Sequence, residues 1–329
     1  MTGVTLTEID AIVTEARVVA TDVVLLTLRA RDESPLPAWT PGAHLDVVVQ
    51  PGVERQYSLC GDPADRTRYQ IAVLREPDGR GGSEHLHAHV VEGSELRVRG
   101  PLNHFELSLP PASTPLLPHY VFVAGGIGIT PILPMVRAVA AAGVPWELHY
   151  AGRSLEKMPF VDELVAEYGD RVTVYSSDDG RRVDLSSISG GSVSKPVAVY
   201  CCGPARMLTE LEAVSSAAAW PSGTLHLERF EAREMAEPVR HEAFEVELEI
   251  SGLTLEVPPD RSILDVVEDA GVLVLSSCRE GTCGTCETPV VSGEVDHRDS
   301  VLTPDEQEAN EVMMICVSRA ACPRLVLEL

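Results

Sequence analysis

The sequence predicts a multidomain chain: an all-β barrel, a doubly wound α/β domain, and a small α+β domain of β-grasp outline. Three observations carry this. Short apolar or alternating runs at 11–20, 23–28, 45–49, 55–60, 69–74 and 95–98 are punctuated by Pro and Gly clusters, the pattern of a barrel or sandwich. Between 120 and 227, strand-like runs alternate with helical ones, the pattern of a parallel sheet covered on both faces. Beyond 241, a hairpin, a short helix and a terminal strand frame three cysteines at C-x4-C-x2-C spacing. At 329 residues and 44% apolar, the chain has room for three cores. Composition shifts place the domains at 1–110, 111–230 and 242–329, with a charged linker at 231–241.

In the first domain, two stretches can carry chemistry. In Arg55-Gln56-Tyr57-Ser58, strand alternation puts Arg55 and Tyr57 on one face and Gln56 and Ser58 on the other. Arg can pair with a phosphate and Tyr can lie against a flat ring, although strand Arg and Tyr are common without either role. Gly79-Arg80-Gly81-Gly82-Ser83 precedes a helical segment, with Ser83 as its expected N-cap. The first turn of such a helix is an anion site, or simply a helix start.

The second domain opens after a Pro-rich stretch at 110–115. A buried parallel strand at 120–124 runs into Gly125-Gly126-Ile127-Gly128-Ile129-Thr130-Pro131 and a helix over 132–142. Strands follow at 146–150, 172–175, 196–202 and 223–227, with helices at 160–167 and 205–219. Gly203-Pro204 ends the fourth strand. Ligands of open α/β sheets bind beyond such strand ends. The ordinary Gly-x-Gly-x-x-Gly fingerprint is absent.

In the third domain a strand at 244–250 returns at 253–257, and helices start near Ser262 and at Thr303-Pro304-Asp305-Glu306, the latter a capping box. A final strand spans 325–329. Cys278, Cys283 and Cys286, with Cys316 as a distant fourth, give the plant-type [2Fe–2S] spacing. Zinc sites favour paired C-x2-C units at both ends, and here the far end offers Cys316 with Cys322 competing by type. Cys60, Cys201 and Cys202 sit in apolar strands and read as buried thiols.

The formal charge of −24 excludes nucleic acid as a partner. Residues 241–329 hold 19 acidic side chains against five Arg and no Lys, a net −14. That is either a solvated surface or a face that steers a basic redox partner. No apolar run is long enough to cross a membrane, and the first residues lack a basic signal region, so a cytoplasmic protein is expected.

Taken together, Arg55-Gln56-Tyr57-Ser58-Leu59-Cys60, Gly79 to Ser83, Gly100-Pro101-Leu102-Asn103-His104-Phe105, the Gly-rich turn and Cys202-Gly203-Pro204 resemble the phthalate dioxygenase reductase family of the ferredoxin-NADP reductase superfamily. The resemblance covers nearly the whole chain. It implies a flavin barrel in which Arg55 pairs with the flavin phosphate, Tyr57 lies against the isoalloxazine and Ser58 stands near its N5, with Gln56 on the same flavin-binding strand. It implies an FMN phosphate on Gly81, Gly82 and Ser83. It places the nicotinamide and pyrophosphate of NADH on Gly126, Gly128, Thr130, Cys202, Gly203 and Pro204, with Phe230 near the flavin. Leu102 stands where the family often has Arg. Arg153-Ser154 could serve NADPH, but the family habit favours NADH. The cluster ligands it implies are Cys278, Cys283, Cys286 and Cys316. The implied activity is hydride uptake from NADH at FMN and release of single electrons through the cluster to a Rieske-type oxygenase or O-demethylase. A cytochrome P450 is the runner-up acceptor. Ser58 and Thr130 orient the rings, and a monomer is expected. A plain ferredoxin-like carrier and a diaphorase with a regulatory cluster are the alternatives from other classes.

Overall fold

The computed structural model describes residues 7–111, 114, 116–192, 195–233 and 237–329. Parts of the linker readings at 110–115 and 231–241 lie outside the described residues. The chain divides into two compact units, Met1–Glu228 and Arg229–Leu329.

The first unit begins with a six-stranded antiparallel sheet. Its strands are β1 Glu8–Ala20, β2 Val23–Ala30, β3 His44–Gln50, β4 Val53–Ser58, β5 Tyr69–Leu74 and β6 Glu95–Leu102, in spatial order β4-β3-β6-β1-β2-β5. A bridge from Leu59 to Ile71 joins the two edges, so the sheet closes on itself as the expected barrel. Two-residue turns close β1–β2 and β3–β4, with Asp22 and Gly52 at positive φ. The interior is apolar, built from Val13, Leu26, Leu28, Leu45, Val47, Ile71 and Val98. Helix α1, Gly82–His89, connects β5 to β6 and buries Leu86.

The α/β part of this unit holds β7 His119–Gly125, α2 Ile129–Ala141, β8 Trp146–Gly152, α3 Val161–Tyr168, β9 Val172–Ser176, β10 Gly191–Ser192, β11 Lys195–Cys202, α4 Ala205–Ala217 and β12 Leu225–Glu228. The parallel order is β12-β11-β7-β8-β9. The sheet grows outward from β7 in both directions, so the strand order reverses between β7 and β11. A single apolar cluster joins Val23, Leu25, Cys60 and Ala72 of the barrel to Phe122, Ile129, Leu133 and Trp146. Helix α2 starts three residues before the expected 132. The 3-10 turn Gly126–Gly128 leads straight into it, and Pro131 sits in the first turn, where a missing N–H costs nothing.

The second unit is a five-stranded mixed sheet, β14-β13-β19-β15-β17, with a two-stranded β16–β18 pair. Its elements are β13 Phe244–Leu248, β14 Leu253–Val257, α5 Ile263–Asp269, β15 Glu287–Ser292, β16 Val295–Asp296, α6 Pro304–Ala309, β17 Val312–Met314, β18 Arg319–Ala320 and β19 Arg324–Leu327. β13 runs parallel to β19 and antiparallel to β14, and α5 packs on the sheet through Ile263, Leu264 and Val267, as in a β-grasp. Capping boxes Ser262/Asp265 and Thr303/Glu306 start the two helices, the second as expected.

Candidate functional site

The barrel site starts from β4. Its register sets Arg55 opposite Val47 and Tyr57 opposite Leu45, on one face. Gln56 faces Asp46 and donates from Nε2 to Oδ1 at 2.7 Å. Ser58 ends the strand, buried. Arg55 donates to the carbonyl oxygens of Glu54 at 2.6 Å and Arg80 at 3.2 Å. A Cβ on Gly82 would stand 2.7 Å from Arg55 Cγ, so any larger residue would push the arginine stem aside. Two stretches distant in sequence thus form one place, a guanidinium beside the first turn of α1. The N-cap is Gly81 at φ 79, not Ser83. A left-handed cap suits glycine, and Ser83, inside the helix, accepts the Glu76 N–H on its Oγ at 3.0 Å. Exposed helix N–H groups and an arginine are donors suited to a phosphate. Burial pushes the Tyr57 phenol above its ordinary value, with Arg55 pulling partly the other way, so the ring stays neutral.

The second site lies where the strand order reverses. A Cβ on Gly128 would meet Cys202 O at 2.3 Å and Gly203 N at 2.8 Å. One on Gly125 would meet Pro204 Cδ at 2.5 Å, and one on Gly203 would meet Gly125 Cα at 3.0 Å. The turns after β7 and β11 therefore touch backbone to backbone. Gly126 takes φ 55, and the Thr130 hydroxyl donates to Ile127 O at 2.9 Å, buried in the first turn of α2. Gly126, Gly128, Thr130, Cys202, Gly203 and Pro204 are brought together, at the place where doubly wound sheets take nucleotides. The turn Gly126–Gly128 packs beside β5, and Arg137 of α2 donates to Cys60 O at 3.4 Å. These contacts hold the second site next to the Ser58 end of β4.

In the second unit, Cys278, Cys283, Cys286 and Cys316 are all buried. Hydrogen bonds from the Cys283 and then the Cys316 thiol hold Cys278 far below the ordinary thiol range, and one from Cys316 lowers Cys286. The four sulfurs therefore converge. Glu280 N–H and Thr282 N–H reach Cys278 Sγ at 3.3 and 3.4 Å, and Thr285 Oγ1 reaches Cys283 Sγ at 3.1 Å. Such donors stabilise charge on thiolate sulfur. The loop turns through positive φ at Arg279, Gly281 and Gly284. A Cβ on Gly281 would collide with Val317 Cγ2 at 2.5 Å. Among the described residues no three His, Cys, Asp or Glu are placed around a single ion. Four soft thiolates with backbone donors fit a two-iron cluster instead. Cys322 lies apart, its Sγ on Arg324 O at 3.0 Å.

Residues 246–321 match the 2Fe-2S iron-sulfur cluster binding domain. Over 311 residues the chain is 43% identical to the phenoxybenzoate dioxygenase subunit beta of Ectopseudomonas oleovorans, covering 94% of each. It aligns with the solved structure of phthalate dioxygenase reductase at 39% identity and TM-score 0.67, covering 98% of each chain. The chain belongs to the phthalate dioxygenase reductase family. A further solved structure, an intact type IV self-sufficient cytochrome P450 monooxygenase, matches at 45% identity and TM-score 0.88. The match takes in 98% of this family member but only 41% of the longer chain.

Sequence reasoning about this reductase missed three features. Glu228 ends β12 directly beside Cys202 on β11, and its burial pushes the carboxyl up to about 8. Arg279 bridges to Asp265 at 3.0 Å and Glu268 at 2.7 Å, which fastens the thiol loop to α5. Asp299, buried behind Gly281, accepts N–H bonds from Val301 and Leu302. Burial alone would raise its carboxyl, but His297 beside it and the bonds from these amides hold it low. Phe230 is 44% exposed.

Proposed function

We propose that the chain is the electron-transfer reductase of an oxygenase system, using FMN, NADH and a [2Fe–2S] cluster. When bound, these groups supply the conversion of a two-electron hydride donor into single electrons. The chain's residues do the holding. Arg55, Gly81, Gly82 and Ser83 bind the FMN phosphate, Gln56 and Tyr57 line the flavin, and Ser58 orients its ring. Gly126, Gly128, Thr130, Cys202, Gly203 and Pro204 seat the nicotinamide and pyrophosphate. Cys278, Cys283, Cys286 and Cys316 ligate iron. The barrel (1–110), nucleotide domain (111–230), linker (231–241) and ferredoxin domain (242–329) are the working divisions. The observation that carries this reading is the packing of the Gly128 turn on Cys202-Gly203, held beside the Ser58 strand end, in a chain that also carries the four converging thiols.

The acceptor is a Rieske-type oxygenase or O-demethylase, in line with the dioxygenase names of the relatives. The likeness to a chain that carries its own cytochrome P450 favours a second reading, in which a haem oxygenase is the acceptor. A monomer in the reducing cytoplasm, which keeps ligand thiols available, is the proposed state. The test is cofactor extraction followed by paired assays. Mass spectrometry should find FMN rather than FAD, and Cys283→Ser should lose most NADH-driven cytochrome c reduction while ferricyanide reduction survives. Intact cytochrome c reduction in that variant would reduce the cluster to a regulator and sink the reading.

A further inference from the structure

Just before the thiol loop, the strip Val272-Leu273-Val274-Leu275 alternates in a way the core alone does not require. Val272 and Val274 pack inward, while Leu273 is 99% exposed and Leu275 48% exposed. Val272 N–H bonds to Val267 O, which pins the strip to the end of α5. Inward valines and outward leucines follow the two-residue period of extended backbone. A large apolar side chain left wholly in water costs free energy, so paired exposed leucines are informative where a lone one is not. Leu275 is three residues from Cys278. Charged groups flanking the strip in sequence are paired within the unit. Arg279 holds Asp265 and Glu268, and Arg261 holds Asp269 at 2.7 Å. What the strip itself offers is therefore apolar, on a domain whose net charge over 241–329 is −14.

We propose that Leu273 and Leu275 form the contact point for the protein that takes the electron, a partner with an apolar patch over its redox centre and basic side chains around it. This rests on the reading of the chain as a cluster-bearing reductase. The acidic domain draws the basic partner in at long range, and the leucines lock it at the cluster once water is expelled. Burying two leucines in a docked complex slows dissociation, so the strip sets KM for the acceptor and leaves the steps before docking alone.

The test uses the holoprotein and its Leu273→Ser/Leu275→Ser double variant, with cytochrome c as a basic one-electron acceptor. Both side chains point outward, so the cluster spectrum and melting temperature should match the parent. The expected result is a roughly tenfold higher KM for cytochrome c, with unchanged ferricyanide reduction and unchanged single-turnover reduction of the cluster by NADH. An unchanged KM overturns the proposal. So does slower cluster reduction, which would put the strip on the electron's path into the cluster, or a change in solution mass, which would make it a self-association surface. If the parent protein lacks flavin, cluster or NADH oxidation, it is the reductase reading that fails, and the parent alone shows it.

Discussion

Gly128 leaves no room for a side chain, because a Cβ there would sit 2.3 Å from the Cys202 carbonyl oxygen. Backbone cannot give way as a flexible side chain can. Gly128→Ala should therefore part the two turns and cut kcat/KM for NADH by about 100-fold, with flavin content unchanged, as steady-state ferricyanide assays would show. Gly82 differs in kind, since its neighbour is the flexible Arg55 stem. Glu228 makes a prediction about pH. Its carboxyl stands near 8 in the fold against an ordinary 4.5. Below that ordinary value both folded and unfolded chains keep the proton. Between the two values the unfolded chain ionises and the folded chain does not, so stability falls as pH rises through this window and levels off above it. Melting curves from pH 5 to 8.5 should show the decline, and Glu228→Gln should flatten it. These residues were unevenly legible. Gly128 announced itself in a glycine-rich turn after an apolar strand. Glu228 did not, because an acid at a strand end reads as solvated until β11 is placed beside it.

At the scale of elements, helix α5 is short and carries the thiol loop's anchor, since Arg279 pairs with its Asp265 and Glu268. Its start depends on a reciprocal cap between Ser262 and Asp265. Ser262→Ala should cost about 1 kcal/mol, lowering the melting transition of the second unit by roughly 4–8 °C, measured by calorimetry of the holoprotein. The strongly patterned elements were readable. The strands of the barrel and of the parallel sheet follow apolar periodicity, and the Thr303 box was plain from Thr-Pro-x-Glu. Others were not. Strands β16 and β18 are two residues each, too short for any period to register. Helix α2 reads late because Pro131 looks like a break, although it lies in the opening turn. The N-cap of α1 was misplaced from Gly81 to Ser83 because propensity favours a hydroxyl, whereas the chain needs a left-handed turn there.

For the whole molecule, what sequence could not supply was juxtaposition: Arg55 against Gly82, and the β7 turn against the β11 turn, exist only once the barrel closes and the sheet order is set. Charge, by contrast, is legible from composition alone. With a net −14 over 241–329, association with cytochrome c should slow steeply as ionic strength rises from about 0.01 to 0.15 M, where the screening length shrinks from about 30 to 8 Å. A flat salt profile would leave the acidic surface a solvated one. On the proposed function, electrons from NADH leave this chain singly through the cluster held by Cys278, Cys283, Cys286 and Cys316. An anaerobic NADH titration of the purified holoprotein, followed in the visible spectrum, tests it most directly. Bleaching of both flavin and cluster bands by NADH is the predicted result. A cluster that stays oxidised while the flavin is reduced, or a protein with no flavin to reduce, would contradict it.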